Sequence, residues 1–125
     1  MCRKSACVLS LVLVLFIAGK GLPGVSKPNP ANGAVHEDTW INISWQAGAN
    51  AASFDVYLGD NFDDVKNGTG DTFLGNQAAN YFVAGFPGFA YPDGLVPGTT
   101  YYWRIDELQT DGSVHTGTVW SFSIP

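Results

Sequence analysis

The residues able to do chemistry in this 125-residue chain are few and far apart. Two histidines are present, His36 and His115. Their separation fits neither an H-x3-H nor an H-E-x-x-H metal spacing, so both read as loop residues. Two cysteines are present as well, Cys2 and Cys7, both at the extreme N-terminus. No G-x-S-x-G elbow occurs. A nucleophile, a base and an orienting group are therefore not brought together by any motif, and the expectation is a chain with no catalytic residues, no cofactor and no metal. Asp60, Asp63 and Asp64 form the densest acidic cluster, with Asn61, Asn67 and Asp71 nearby. Such hard oxygen ligands suit calcium, but the spacing lacks the 1, 3, 5 ladder and the glutamate at twelve of an EF-hand loop. The preferred reading is a solvated turn whose Asp and Asn side chains bond their own backbone, with calcium left open. Asp106 and Glu107 are adjacent; on a strand they point to opposite faces and cannot flank one glycosidic bond.

Aromatic residues offer a different chemistry, since four Trp, five Tyr and eight Phe are many for so short a chain. Exposed rings stack on sugar rings and dock against protein surfaces. Six have a core position by alternation: Trp45, Phe54, Tyr101, Trp103, Trp120 and Phe122. Trp40, Phe86, Phe89 and Tyr91 do not, and they are the candidate ligand contacts. The plainer reading of the loop set Phe86, Phe89 and Tyr91 is a plug folded back over one end of the domain.

The elements that must carry these residues begin after an N-terminal leader. Arg3 and Lys4 precede an apolar run from Val8 to Ala18, and small residues follow, the order of a cleavable secretory signal. The run is too short to span a membrane as a helix, which takes roughly 20 apolar residues. The expected divisions are a signal peptide at 1–21, a linker at 22–29 and one domain at 30–125. Removing the leader removes both cysteines, so the exported domain would rest on its core without disulfides. It also leaves Lys27, Lys66 and Arg104 against 11 acids, a net charge of −8. Such a surface repels nucleic acid and anionic lipid. The expected location is secreted or cell-surface, with neighbouring domains, extracellular proteins or polysaccharide as partners.

Pro28, Pro30 and Gly33 forbid helix at the start of the domain. Beyond them no run of ten or more residues has a 3.6 period, whereas short segments alternate. Ile41, Ile43 and Trp45 share a face within Trp40–Trp45. Phe54, Val56 and Leu58 do so in the next strand, Tyr101, Trp103 and Ile105 in a third, and Trp120, Phe122 and Ile124 in a fourth. Arg104 and Asp106 fall on the outer face by the same rule. Asp111-Gly112 supplies the positive φ of a hairpin turn between the last two strands. A short strand is expected at Tyr81–Ala84, within an otherwise irregular Gly59–Gly98 region.

The segment from Leu95 to Ile105, Leu-Val-Pro-Gly-Thr-Thr-Tyr-Tyr-Trp-Arg-Ile, resembles the L-x-P-G-T-x-Y-x-V-x-V signature of fibronectin type III domains. In that resemblance Tyr101 stands where the family's tyrosine-corner residue does. Trp45 matches the inward tryptophan, and Phe54-x-Val56-x-Leu58 the third strand. More narrowly, FDVYLGDNFDDV, GTTYYWRIDE and VWSFSIP look like the fibronectin-III-like modules of large exported planctomycete-type bacterial proteins, which accompany laminin-G-like, discoidin-like or glycoside hydrolase domains. The resemblance implies an all-β, immunoglobulin-like sandwich of about seven antiparallel strands. It further implies a non-catalytic structural or interaction module, with ancillary carbohydrate binding through the loop aromatics as the alternative.

Overall fold

The computed structural model describes residues 21–125, so the expected leader and both cysteines lie outside the described residues, apart from Gly21. Alternating apolar positions produce nine strands here: β1 (Ser26–Asn29), β2 (Ala34–Val35), β3 (Ile41–Gln46), β4 (Ala51–Gly59), β5 (Phe73–Gln77), β6 (Tyr81–Ala84), β7 (Thr100–Gln109), β8 (Val114–His115) and β9 (Trp120–Ser123). One sheet has the order β1-β3-β6. The other runs β2-β9-β7-β4-β5, with β8 also pairing β7. All pairs are antiparallel except β2 with β9, a parallel pair that the expectation of uniformly antiparallel strands missed.

The inward faces are those read from alternation. Ile41, Ile43 and Trp45 meet Phe54, Val56, Leu58, Trp103, Ile105 and Phe122 between the sheets, all buried. Burying each such side chain stabilises the fold by about 1.5–3 kcal/mol. Edge-on aromatic pairs lock the middle, Trp45 against Phe54 at 5.4 Å and Trp103 against Trp120 at 4.8 Å.

Three expectations need correction. The 22–29 stretch is not a free linker, because Ser26–Asn29 pairs with β3 as an edge strand. Its proline excludes helix but is tolerated on a sheet edge, where the missing N–H has no ladder partner to lose. Second, a six-residue helix, α1 (Phe62–Asn67), interrupts the expected all-β region after β4. It is too short to show a period, yet its ends are well marked. The Asn61 side chain accepts the Asp64 N–H at 3.0 Å, Asp63 and Asp64 sit in the positive first turn, and Gly68 closes it at φ 68°. Third, Arg104 and Asp106 are buried, not outward in solvent. Their face of the sheet is covered by α1, anchored through the fully buried Val65, and by the 116–119 segment.

Tyr101 takes the corner role that the resemblance implies: its hydroxyl accepts the Val96 N–H at 2.9 Å while its ring stacks on Phe122 at 5.5 Å. Replacing it with phenylalanine leaves a donor unpaired. The expected cost is about 1 kcal/mol, at the low end for an orphaned group because water can reach exposed Val96. A urea midpoint for Tyr101→Phe equal to that of the parent would show that the bond contributes nothing.

Candidate functional site

Among the described residues, the buried charged side chains Arg104, Asp106 and Glu107 are each tied to the protein's own backbone. Glu107, fully buried at one end of β7, accepts the Gly24 N–H at 2.8 Å through one oxygen and the Gly48 N–H at 2.6 Å through the other, and Gln109 adds a third donor. Arg104 faces Asp106, donating one hydrogen bond from Nη2 to Oδ2 at 3.0 Å, while Nε stands 3.0 Å from Oδ1 as an ion-pair contact out of line for a hydrogen bond. Its remaining nitrogen donates to the carbonyls of Val65 (3.0 Å) and Lys66 (2.6 Å) at the end of α1, and the guanidinium carbon Cζ lies 4.0 Å from the centre of the Tyr57 ring. Asp106 in turn accepts the Gly117 N–H at 2.9 Å. A substrate atom would have to displace these bonds to reach either carboxylate.

The other sequence candidates are scattered. A His36 ring nitrogen bonds the Trp40 carbonyl at 2.6 Å, and His115 lies against Gly24 at the opposite end of the domain. Asp60, Asp64 and Asp71 border a polar hollow of about 210 Å³ that Asp63 does not line. Asp64 there accepts the Thr69 hydroxyl at 2.8 Å. Among the described residues, no three His, Asp or Glu side chains are grouped where they could hold a metal ion.

The four aromatic candidates divide. Phe86-Pro87-Gly88-Phe89 forms a tight turn closed by the Phe89 N–H to the Phe86 carbonyl at 3.1 Å; Pro at the second position and Gly88 at φ 92° are the type II pattern. Gly85 lets this turn lie against Thr39 and Trp40, just ahead of β3: a Cβ there would stand 2.5 Å from the Thr39 carbonyl oxygen. The result is a contiguous row, with Trp40 stacked on Phe86 at 5.1 Å and Phe86 edge-on to Phe89 at 6.2 Å. These rings are 42%, 38% and 53% exposed, so the turn is not a sealed plug. Nor is the row a flat platform, because its planes are inclined by 29° and 60° and its rings cover one another's faces.

Tyr91 leaves the row. At φ 55° it turns inward and packs edge-on against Tyr101 at 5.5 Å. Burial pushes its hydroxyl pKa above the ordinary tyrosine value, and Tyr101 and Asp60 add to the shift. The feature missed from the sequence is a groove of about 560 Å³ beside Phe89, bounded by Gln77–Ala79, Tyr81–Val83 and Gly88–Ala90. Exposed Tyr81 and Phe89 stand at its sides. Its one sequence signal was the run of uncharged residues from Tyr81 to Tyr91.

Comparison with protein-family models and with curated proteins finds no match. Among solved structures, the chain is similar to a Fn3-like protein from Clostridium thermocellum, with 16% identity and a TM-score of 0.52 over 84% of this chain and 92% of that one. A β-1,2-glucanase from Parabacteroides distasonis aligns at 14% identity and a TM-score of 0.44, over 83% of this chain but 14% of the glucanase. The first likeness shows an Fn3-like fold.

Proposed function

We propose that this chain acts outside the cell as a non-catalytic Fn3-like module, a rigid spacer that also offers a protein-interaction surface, of the kind carried by large exported bacterial proteins. Export rests on the leader order of Arg3, Lys4 and the Val8–Ala18 run. The observation that carries the spacer is where the chain enters and leaves. Leu22 and Gly24 are held at the Gly48–Ala49 and Glu107 end of the sandwich, whereas Ile124 bonds Gly98 and Thr99 beyond the other end of β7. At ~3.4 Å per residue along β7, the two points lie about 30–35 Å apart. A polypeptide threaded through the module is thus held open by that distance. The absence of catalysis is favoured because Arg104, Asp106 and Glu107 all hold backbone segments together. A sugar platform is less well supported, since the candidate rings stack on one another.

The test is a spin-label distance between Leu22→Cys and Pro125→Cys, with Cys2 and Cys7 replaced by serine. A single narrow distribution at about 30–40 Å is expected from the strand rise. A broad distribution, or one centred below about 20 Å, would remove the spacer.

A further inference from the structure

We propose that Asn67 is a site of covalent self-modification, where the chain loses ammonia by ring closure onto the Gly68 nitrogen and reopens as aspartate or isoaspartate, while the fold shields the equivalent pair Asn32-Gly33.

Asparagine followed by glycine is the sequence in which this closure is least hindered, because glycine puts no Cβ beside the attacking nitrogen and lets the backbone reach the required dihedrals. Two such pairs occur in the chain, Asn32-Gly33 and Asn67-Gly68, and both asparagines are exposed. Access to water therefore does not separate them; bonding does. The Asn32 side-chain oxygen accepts the Ser121 N–H at 2.9 Å, and the Gly33 N–H donates to the Ser121 carbonyl at 2.8 Å. Both reacting groups are thus tied to one residue of β9, and the next residues, Ala34 and Val35, continue along that strand as β2. Closing the ring there means parting the entry of β2 from β9.

At Asn67 the restraints are weaker. It is the last residue of α1, and the polar contacts around it pass its amide by: Thr69 bonds the Asp64 carboxylate at 2.8 Å, and Arg104 takes the carbonyls of Val65 and Lys66. The Gly68 N–H is shared between the Asp64 and Val65 carbonyls, at 3.4 Å from the second, and the Thr69 N–H competes for the first at 2.9 Å. Such long and divided bonds are weak. Because Arg104 anchors the helix one residue earlier, Asn67 can turn out of its helical ψ without undoing Val65 or Lys66. Only the end of a six-residue helix has to fray, the least costly kind of local opening.

Water is the only co-reactant. The Gly68 nitrogen bonds to Asn67 Cγ and gives up its proton, the Cγ–Nδ2 bond breaks, and ammonia departs with that proton, leaving a cyclic imide. Water then splits the imide. Cleavage at Cγ gives aspartate with the original main chain; cleavage at the Asn67 carbonyl carbon routes the main chain through Cγ and gives isoaspartate. Either product places a carboxylate at the C-terminal end of α1, where the helix dipole disfavours it. Isoaspartate also adds a carbon to the backbone ahead of Gly68, whose φ of 68° closes the helix. The helix that covers Arg104 is thereby loosened with age.

The experiment incubates the full chain, folded and in unfolding urea, in mildly alkaline buffer and quantifies aspartyl and isoaspartyl peptides at both positions by proteolysis and mass spectrometry. In the folded protein, conversion at Asn67 is expected at least about tenfold faster than at Asn32; in urea, where neither pair is held, the two rates should agree within about threefold. Asn61→Ala removes the N-cap of α1 and is expected to speed conversion at Asn67 about three- to fivefold while leaving Asn32 unchanged. An aged sample should unfold at lower urea than a fresh one, whereas aged and fresh Asn67→Gln should coincide, since its longer side chain closes the ring far more slowly. Folded-state rates that are equal at the two positions, or faster at Asn32, would overturn the proposal. So would an Asn67 that stays intact over the interval in which the urea-unfolded chain is converted.

Discussion

Arg104→Ala is expected to lower the stability of the sandwich by about 3–5 kcal/mol, the range for removing one member of a buried ion pair. Three losses coincide. Asp106 keeps a charge in a buried site with the Gly117 N–H as its remaining partner, the Val65 and Lys66 carbonyls lose their donor, and Tyr57 loses the cation over its ring. Removing both members should cost less than the sum of the single changes, because the stranded charge disappears with Asp106. Arg104→Lys should fall between, since an ammonium cannot pair with Asp106 and reach the end of α1 together. Urea unfolding of the four proteins measures this directly. A loss below about 1 kcal/mol for Arg104→Ala would mean that the pair behaves as a surface pair does.

Glu107→Ala should be of similar size. One carboxylate satisfies two backbone donors in separate segments, and hydrogen bonds to a charged group are worth about 1.5–3 kcal/mol each, so about 3–5 kcal/mol is at stake. The loss has a local signature. Amide exchange should accelerate at Gly24 and Gly48, which Glu107 holds, and remain slow at Gly98, whose N–H bonds Ile124 at 2.8 Å. Glu107→Gln keeps one acceptor oxygen and puts an NH2 against a backbone N–H, so roughly half the loss is expected. Uniform acceleration across all three glycines would indicate a general loosening, and Glu107 would not be the clasp of the N-terminal segment.

The two residues behind these predictions show where sequence reading reached and where it stopped. Alternation located the inward faces of β3, β4, β7 and β9, because a period of two is a local property of a strand with one wet side. It failed at Arg104 and Asp106, because their face is covered as well and the five consecutive residues Trp103–Glu107 are all buried. That cover comes from distant segments, α1 for Arg104 and the 116–119 segment for Asp106, and six helical residues are too few to show a period. The Asn61 cap and the Gly68 stop were not anticipated, because that stretch reads locally as a solvated turn. At the candidate surface, alternation left Trp40, Phe86 and Phe89 unassigned, and they are exposed. Tyr91 was grouped with them because no local pattern distinguishes a ring on the surface from one turned inward by a single left-handed residue. The groove depends on two sheet edges and a turn meeting in space, which no sequence spacing encodes.

The opposed entry and exit points have a mechanical consequence. Tension applied through Leu22 and Pro125 runs along the strands. It pulls β1 lengthwise against β3 and β9 lengthwise against β7, so each ladder is loaded in shear and its hydrogen bonds resist together. The Glu107 clasp lies at the point where force enters. Gradual stretching should therefore release the first few residues before either sheet yields, giving a short compliant step ahead of a stiff one.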